Sequence, residues 1–212
     1  MLVGLFLLTL AQPPGVRDVL LAPGETVRAT IVGVGRPVVL VPGLLGSAFA
    51  FRRIIPPLDS AGLQVIVIEP LGIGNSSRPK GADYSLTAQA GRVAAVLDTL
   101  GVRGAIVLGH SVSTSTVLRL ALLRPDLVSA IIADNGGPEE AAATSGVKRT
   151  AKFAILLRIF GGRSLMRSEL HKGLRLTAGN PEWITREVVD CYGEGAERDP
   201  GALSLLARFP PR

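Results

Sequence analysis

Four short apolar runs, at residues 37–41, 64–68, 104–108 and 127–133, are separated by segments with helical period, and this alternation most restricts the folds open to the chain. The continuous run at 37–41 is of the kind buried on both faces in a parallel sheet covered by helices, 64–68 reads as the next buried strand, and 104–108 and 127–133 read as further strands. Residues 27–32 alternate instead and read as a half-exposed strand. Helical signals run from Ser47 toward Ser60, from Leu86 to Leu100, and from Val112 to Leu123, where Pro125 stops the last of them. Strands separated by helices of this length imply crossover connections and an α/β architecture. In such sheets the functional groups gather at the carboxyl ends of the strands. The residues there are Pro42-Gly43-Leu44, Glu69-Pro70-Leu71-Gly72, Ser111 and Asp134. After Pro138 the pattern changes to helices, which predicts a cap laid over that edge. The predicted division is a core over 12–137 and a helical cap over 138–212.

The third run leads straight into Gly109-His110-Ser111-Val112-Ser113 and then a helix. A sharp strand-to-helix turn lifts one side chain clear of the sheet, which is the setting a serine nucleophile needs, and small residues at Gly109 and Ser113 allow the close packing. The pattern is G-x-S-x-S, one step from the usual G-x-S-x-G, so its context carries the inference. His110 neighbours the nucleophile on a tight turn and is read as packing beside the sheet.

With 212 residues and 47% hydrophobic content, the chain can bury one substantial core with an appended subdomain. Its lone cysteine, Cys191, excludes an internal disulfide and a cysteine-rich metal site, and no metal or organic cofactor is expected. The apolar opening stretch, followed by Gln12-Pro13-Pro14, reads as a signal peptide over residues 1–11 and predicts export; without that signal the chain is cytoplasmic. Between Lys148 and Arg175, eight basic residues meet one acidic residue, Glu169. This run is either a solvated lid face or a surface for an anionic membrane. Few aromatic residues accompany it, which disfavours nucleic acid.

Three segments carry a family likeness: residues 38–47 (VVLVPGLLGS), residues 69–79 (EPLGIGNSSRP), and the stretch from Asp83-Tyr84-Ser85-Leu86 to Leu108-Gly109-His110-Ser111. In order and spacing they resemble the α/β-hydrolase superfamily, in the branch with a helical cap inserted after the sixth strand. The resemblance implies that Ser111 attacks an acyl carbonyl while the Leu44 and Val112 amides hold the oxyanion. Family members often have His-Gly where this chain has Pro42-Gly43; the donor required lies one residue on, at Leu44. Serine at the elbow favours esters, thioesters, lactones, amides or diketone cleavage, because dehalogenase-like and epoxide-hydrolase-like members use aspartate there. The implied partner is a small hydrophobic acyl substrate.

The family's chain order is Ser, then Asp or Glu, then His. Asp134 is implied either as the triad acid or as a structural carboxylate capping the Asn135-Gly136-Gly137 turn. His171 is the one histidine after Ser111 and the only candidate base in the sequence, although its charged surroundings also suit an exposed helix position. The resemblance further implies two more strands with a histidine after the last, and no segment before Arg212 reads as either. The expectation is therefore a serine hydrolase core lacking the last two strands, with a non-catalytic binding protein as the alternative.

Overall fold

The computed structural model describes residues 14–138, 167–176 and 178–198. The opening stretch read as an export signal, Glu139, Glu140, residue 177 and the part of the basic run between Lys148 and Arg163 lie outside the described residues.

Six strands form one sheet: β1 (Gly15–Ala22), β2 (Glu25–Val32), β3 (Arg36–Val41), β4 (Leu63–Glu69), β5 (Ala105–His110) and β6 (Val128–Asp134). Their order across the sheet is β1-β2-β4-β3-β5-β6. The pairs β4–β3, β3–β5 and β5–β6 are parallel, while β1–β2 and β2–β4 are antiparallel. Helix α1 (Ile55–Ser60) lies between β3 and β4, α2 (Leu86–Thr99) between β4 and β5, and α3 (Val112–Leu123) between β5 and β6. Beyond the sheet, residues 167–176 form a helix, α4, and Arg186–Arg198 form α5. The mostly parallel sheet flanked by helices agrees with the sequence.

The runs of β3 and β4 are buried on both faces for the reason the pattern gave, whereas β5 alternates buried with half-buried side chains and β6, the last strand in the order, has only half-buried and exposed ones, with Ile132 exposed. Val39 and Val41 of β3 join a cluster with Val93 and Leu97 of α2 and Val117 and Leu120 of α3. Their neighbours Val38 and Leu40 point the other way, into a second cluster with Phe51, against which Ile55 and Leu58 of α1 pack. Alternate side chains of one strand thus fill two cores, one on each side of the sheet.

Two local features depart from expectation. The helix foreseen from Ser47 to Ser60 divides into a 3-10 turn over Ala48–Phe51 and the short α1, whose first turn contains Pro56 and Pro57. Proline lacks the amide that a continuing helix would use, so the chain restarts there. The sequence pattern also omitted β1. Only Val19 of that strand is buried, and Val16 and Leu20 are exposed, so it carries no clear alternation. A two-residue turn at Pro23 and Gly24, with Gly24 at φ 79°, folds it back onto β2.

Arg92 ties this antiparallel edge to α2, donating through Nε and Nη2 to the two carboxylate oxygens of Glu25 at 2.8 and 2.7 Å. The guanidinium beside Glu25 holds its carboxyl below the ordinary value. A lowered folded value means that this pair stabilises the protein above the ordinary glutamate range, and the contribution disappears as pH falls through the lowered value. Glu25→Gln is expected to cost about 1 kcal/mol at pH 7. Urea unfolding of both proteins between pH 7 and pH 3 should show the difference shrinking on acidification.

Candidate active site

Parallel strands β3, β5 and β6 end at one edge, and their following loops meet around Ser111. Ser111 stands between β5 and α3 at φ 55° and ψ −127°, a backbone conformation that residues with a side chain rarely adopt. Such a position costs on the order of 1–3 kcal/mol and persists only where its surroundings over-determine it.

Three glycines, Gly43 and Gly136 on the loops after β3 and β6 and Gly109 near the end of β5, supply that constraint. A Cβ on Gly43 would lie 2.9 Å from the Ser111 Cβ and 3.0 Å from the His110 carbonyl oxygen. One on Gly109 would lie 2.6 Å from the Ser113 carbonyl oxygen and 2.7 Å from the Val117 Cγ2. One on Gly136 would run into the Ser111 carbonyl oxygen and the Thr114 side chain. Hydrogen bonds complete the frame. The Ser111 amide donates to the Asp134 carbonyl at 2.9 Å, the Thr114 amide to the Ser111 carbonyl at 3.0 Å, and the Thr114 hydroxyl to the Gly109 carbonyl at 2.8 Å.

Ser113 replaces the glycine usual at the end of such a pentapeptide, and it has a bond of its own. Its buried hydroxyl donates to the Pro42 carbonyl at 2.7 Å, which holds the turn after β3 against the first turn of α3. That turn is closed by the Gly46 amide on the Gly43 carbonyl at 3.0 Å, with Leu45 at φ 61°. Among the described residues, the amides of Leu44 and Val112 donate to no protein acceptor. The Ser111 hydroxyl, half-buried, makes no capping bond to α3 and no other hydrogen bond among the described residues.

The partners foreseen for Ser111 are arranged differently. Asp134 ends β6 directly beside β5, in register with His110, and its backbone meets Ser111 as described. Its carboxylate is taken up by His110, with Oδ2 2.9 Å from Nδ1. This pairing was not foreseen: His110 was read as packing beside the sheet, yet its side chain is 38% exposed and engaged in a polar contact. His171 lies half-buried on α4, and among the described residues no hydrogen bond joins it to Ser111 or Asp134.

From α5, the Tyr192 ring meets Phe49 of the 3-10 turn edge-on at 6.3 Å between centroids. Burial pushes the Tyr192 hydroxyl up from its ordinary value, against a smaller opposing effect of Arg52. Among the described residues no group of three His, Cys, Asp or Glu side chains is placed to hold a metal.

Two residues here had no role in the sequence reading. Gly136 was noted only as part of a turn, and its contact with Ser111 depends on how β6 is placed. Glu69 was noted only as a strand end, although a carboxylate closing a run of five apolar or buried positions is itself a signal of an internal acceptor for backbone amides.

Comparison with known proteins agrees with this geometry. A family model described as alpha/beta hydrolase fold matches residues 36–154. A bifunctional epoxide hydrolase 2 of Sus scrofa is 33% identical over 118 residues, spanning 55% of this chain and 21% of that protein. A candidate carbamate hydrolase, RutD, of Azorhizobium caulinodans is 32% identical over 185 residues, spanning 84% of this chain and 65% of that protein. The chain therefore matches between about a fifth and two thirds of the length of these relatives. The crystal structure of Cfl2 from Burkholderia cenocepacia superposes with a TM-score of 0.75 at 21% identity, covering 92% of this chain and 74% of that one, a likeness of fold. From the strand order, the turn at Ser111 and the matched family model together, the chain belongs to the alpha/beta hydrolase fold family.

Proposed function

We propose that this protein is a serine hydrolase that cleaves a carboxylic ester or related acyl bond through an acyl-enzyme on Ser111. The observation that carries the reading is the backbone of Ser111 at φ 55°, held by glycines at the ends of three strands, with a hydroxyl that makes no hydrogen bond among the described residues. Strain of this kind without a structural use for the side chain is the mark of a nucleophile presented to a substrate.

In this reading the Ser111 oxygen adds to the acyl carbonyl, and the negative charge that develops on the carbonyl oxygen is met by the Leu44 and Val112 amides. Two donors fixed in advance stabilise that charge without reorganising, and a single such donor is worth about 3–4 kcal/mol in the transition state. The alcohol then leaves with a proton, and water releases the acid. The substrate is a small or medium hydrophobic acyl compound. The relatives act on epoxides or carbamates by name, but serine at the elbow favours the acyl reading over epoxide opening. By chain order His171 is the candidate base. The bond of Asp134 to His110 supports a positioning role for that carboxylate beside the elbow.

That same bond favours one alternative, a binding protein that keeps the elbow without a working base. A fluorophosphonate probe separates the two. The hydrolase reading expects a covalent adduct that Ser111→Ala abolishes; a well-folded protein with no Ser111-dependent adduct is the binding protein.

Two substitutions test the frame. Gly43→Ala, which puts a Cβ 2.9 Å from that of Ser111, should slow adduct formation by at least about tenfold and cost about 1–3 kcal/mol in stability. Asp134→Asn should change the labelling rate by less than about tenfold, whereas loss of a triad acid costs about ten-thousandfold. Rates of label incorporation, with urea unfolding in parallel, measure both.

A further inference from the structure

Glu69 is 1% exposed and, among the described residues, makes no salt bridge; the Arg28 charge acts on it from the paired position on β2 without contact. Its carboxylate instead accepts backbone amides from two loops at the carboxyl edge. Oε1 takes the Ala48 amide at 2.9 Å, and Oε2 takes the Asn75 amide. Gly74 stands at φ 57°, where any Cβ would collide with the Glu69 carboxylate, so the loop after β4 is wrapped tightly around it. Arg78 closes the outside of that loop through the Gly74 and Ser76 carbonyls, each at 2.7 Å. Burying a carboxylate costs several kcal/mol unless its oxygens are satisfied, and here two amides do so.

The position of Ala48 gives this arrangement a consequence. Ala48 begins the 3-10 turn capped by Ser47, four residues after Leu44. The turn between β3 and Ala48 is therefore held at both ends: at Pro42 by the Ser113 hydroxyl and at Ala48 by Glu69. Between these points the backbone takes the left-handed conformation at Leu45, which a free loop would relax.

We propose that Glu69 is a positioning residue for the oxyanion side of the site, aiming the Leu44 amide by anchoring the Ala48 amide. The inference rests on the reading of Ser111 as a nucleophile. Glu69 touches no reacting atom; it acts through the turn. A misplacement of about 1 Å in a donor of this kind lowers a rate by about a hundredfold.

Two variants of the 212-residue chain test it, by the rate of Ser111-dependent fluorophosphonate labelling and by hydrogen exchange of the Leu44, Leu45 and Gly46 amides. Glu69→Gln turns an amide group toward one of the two backbone donors. Ala48→Pro removes the donor and sets the ring Cδ where the amide hydrogen faced Oε1, which breaks the contact while the carboxylate keeps its charge. Proline suits the first position of a helical turn, and Ser47 at φ −152° and ψ −171° already has the extended backbone that a following proline requires. The expected result for Ala48→Pro is a folded protein with a lowered melting temperature, because Oε1 loses its donor, together with labelling slowed by about tenfold to a hundredfold and faster exchange confined to the turn. Glu69→Gln should act in the same direction, and Ala48→Pro decides the matter if that protein does not fold. A folded Ala48→Pro that labels and exchanges like the unsubstituted chain overturns the proposal. If the unsubstituted chain takes no Ser111-dependent label, the acyl-transfer reading falls, and exchange of the turn alone then decides the anchoring by Glu69, unchanged exchange overturning it.

Discussion

The close approach of three glycine backbones to Ser111 is the constraint on which the carboxyl edge of the sheet depends. Each of Gly43, Gly109 and Gly136 lies where a single added carbon would meet neighbouring atoms of the elbow; Gly43 and Gly136 come from the loops after β3 and β6, and Gly109 from the end of β5. Those loops reach one another because β3, β5 and β6 are adjacent and parallel, with Val41 beside Gly109 and His110 beside Asp134. A strained serine is tolerated there because the packing on both faces of the sheet leaves no cheaper arrangement of the chain.

The two cores supply that rigidity. Residues of β3 and β4 bury Val39, Val41, Ile66 and Ile68 against α2 and α3 while Val38, Leu40, Val65 and Val67 face the α1 side. The polar elements of the edge are satisfied from within. Gln89 of α2 both donates to the Leu71 carbonyl at 2.7 Å and accepts its amide at 3.2 Å, and the Ser76 hydroxyl bridges from the Glu69 carbonyl to the Arg28 amide. Loops that run from strand ends are thus fixed by side chains of helices and neighbouring strands, and among the described residues no buried side-chain nitrogen or oxygen lacks a partner.

Much of this was readable along the chain. Strands β2 to β5 and helices α2 and α3 were marked by apolar period, with Pro125 ending α3, because burial on one face or two imposes a repeat that local sequence must carry; β6 was marked by its apolar run although its side chains are half-buried or exposed. Strand β1 escaped that reading: it lies at the sheet edge with only Val19 inside, so nothing forced its sequence to alternate. The break before α1 was written in Pro56 and Pro57, residues whose missing amides act locally. At the site, Ser111 and the glycine before it stood out, since strain at one residue demands small neighbours in sequence. Gly136 did not, because its partner is 25 residues away.

What the residues settle on their own is therefore whatever depends on near neighbours: which segments are strands or helices, that the sheet is largely parallel, and that Ser111 sits on a sharp turn. Which side chains meet at that turn was decided by assembly. Strand register, a property of several segments together, joined Asp134 to His110, brought Gly136 against Ser111, and set Glu69 beneath the turn that starts at Pro42. Contacts between residues far apart in the chain leave no periodic trace, so they emerge only when the strands are packed side by side.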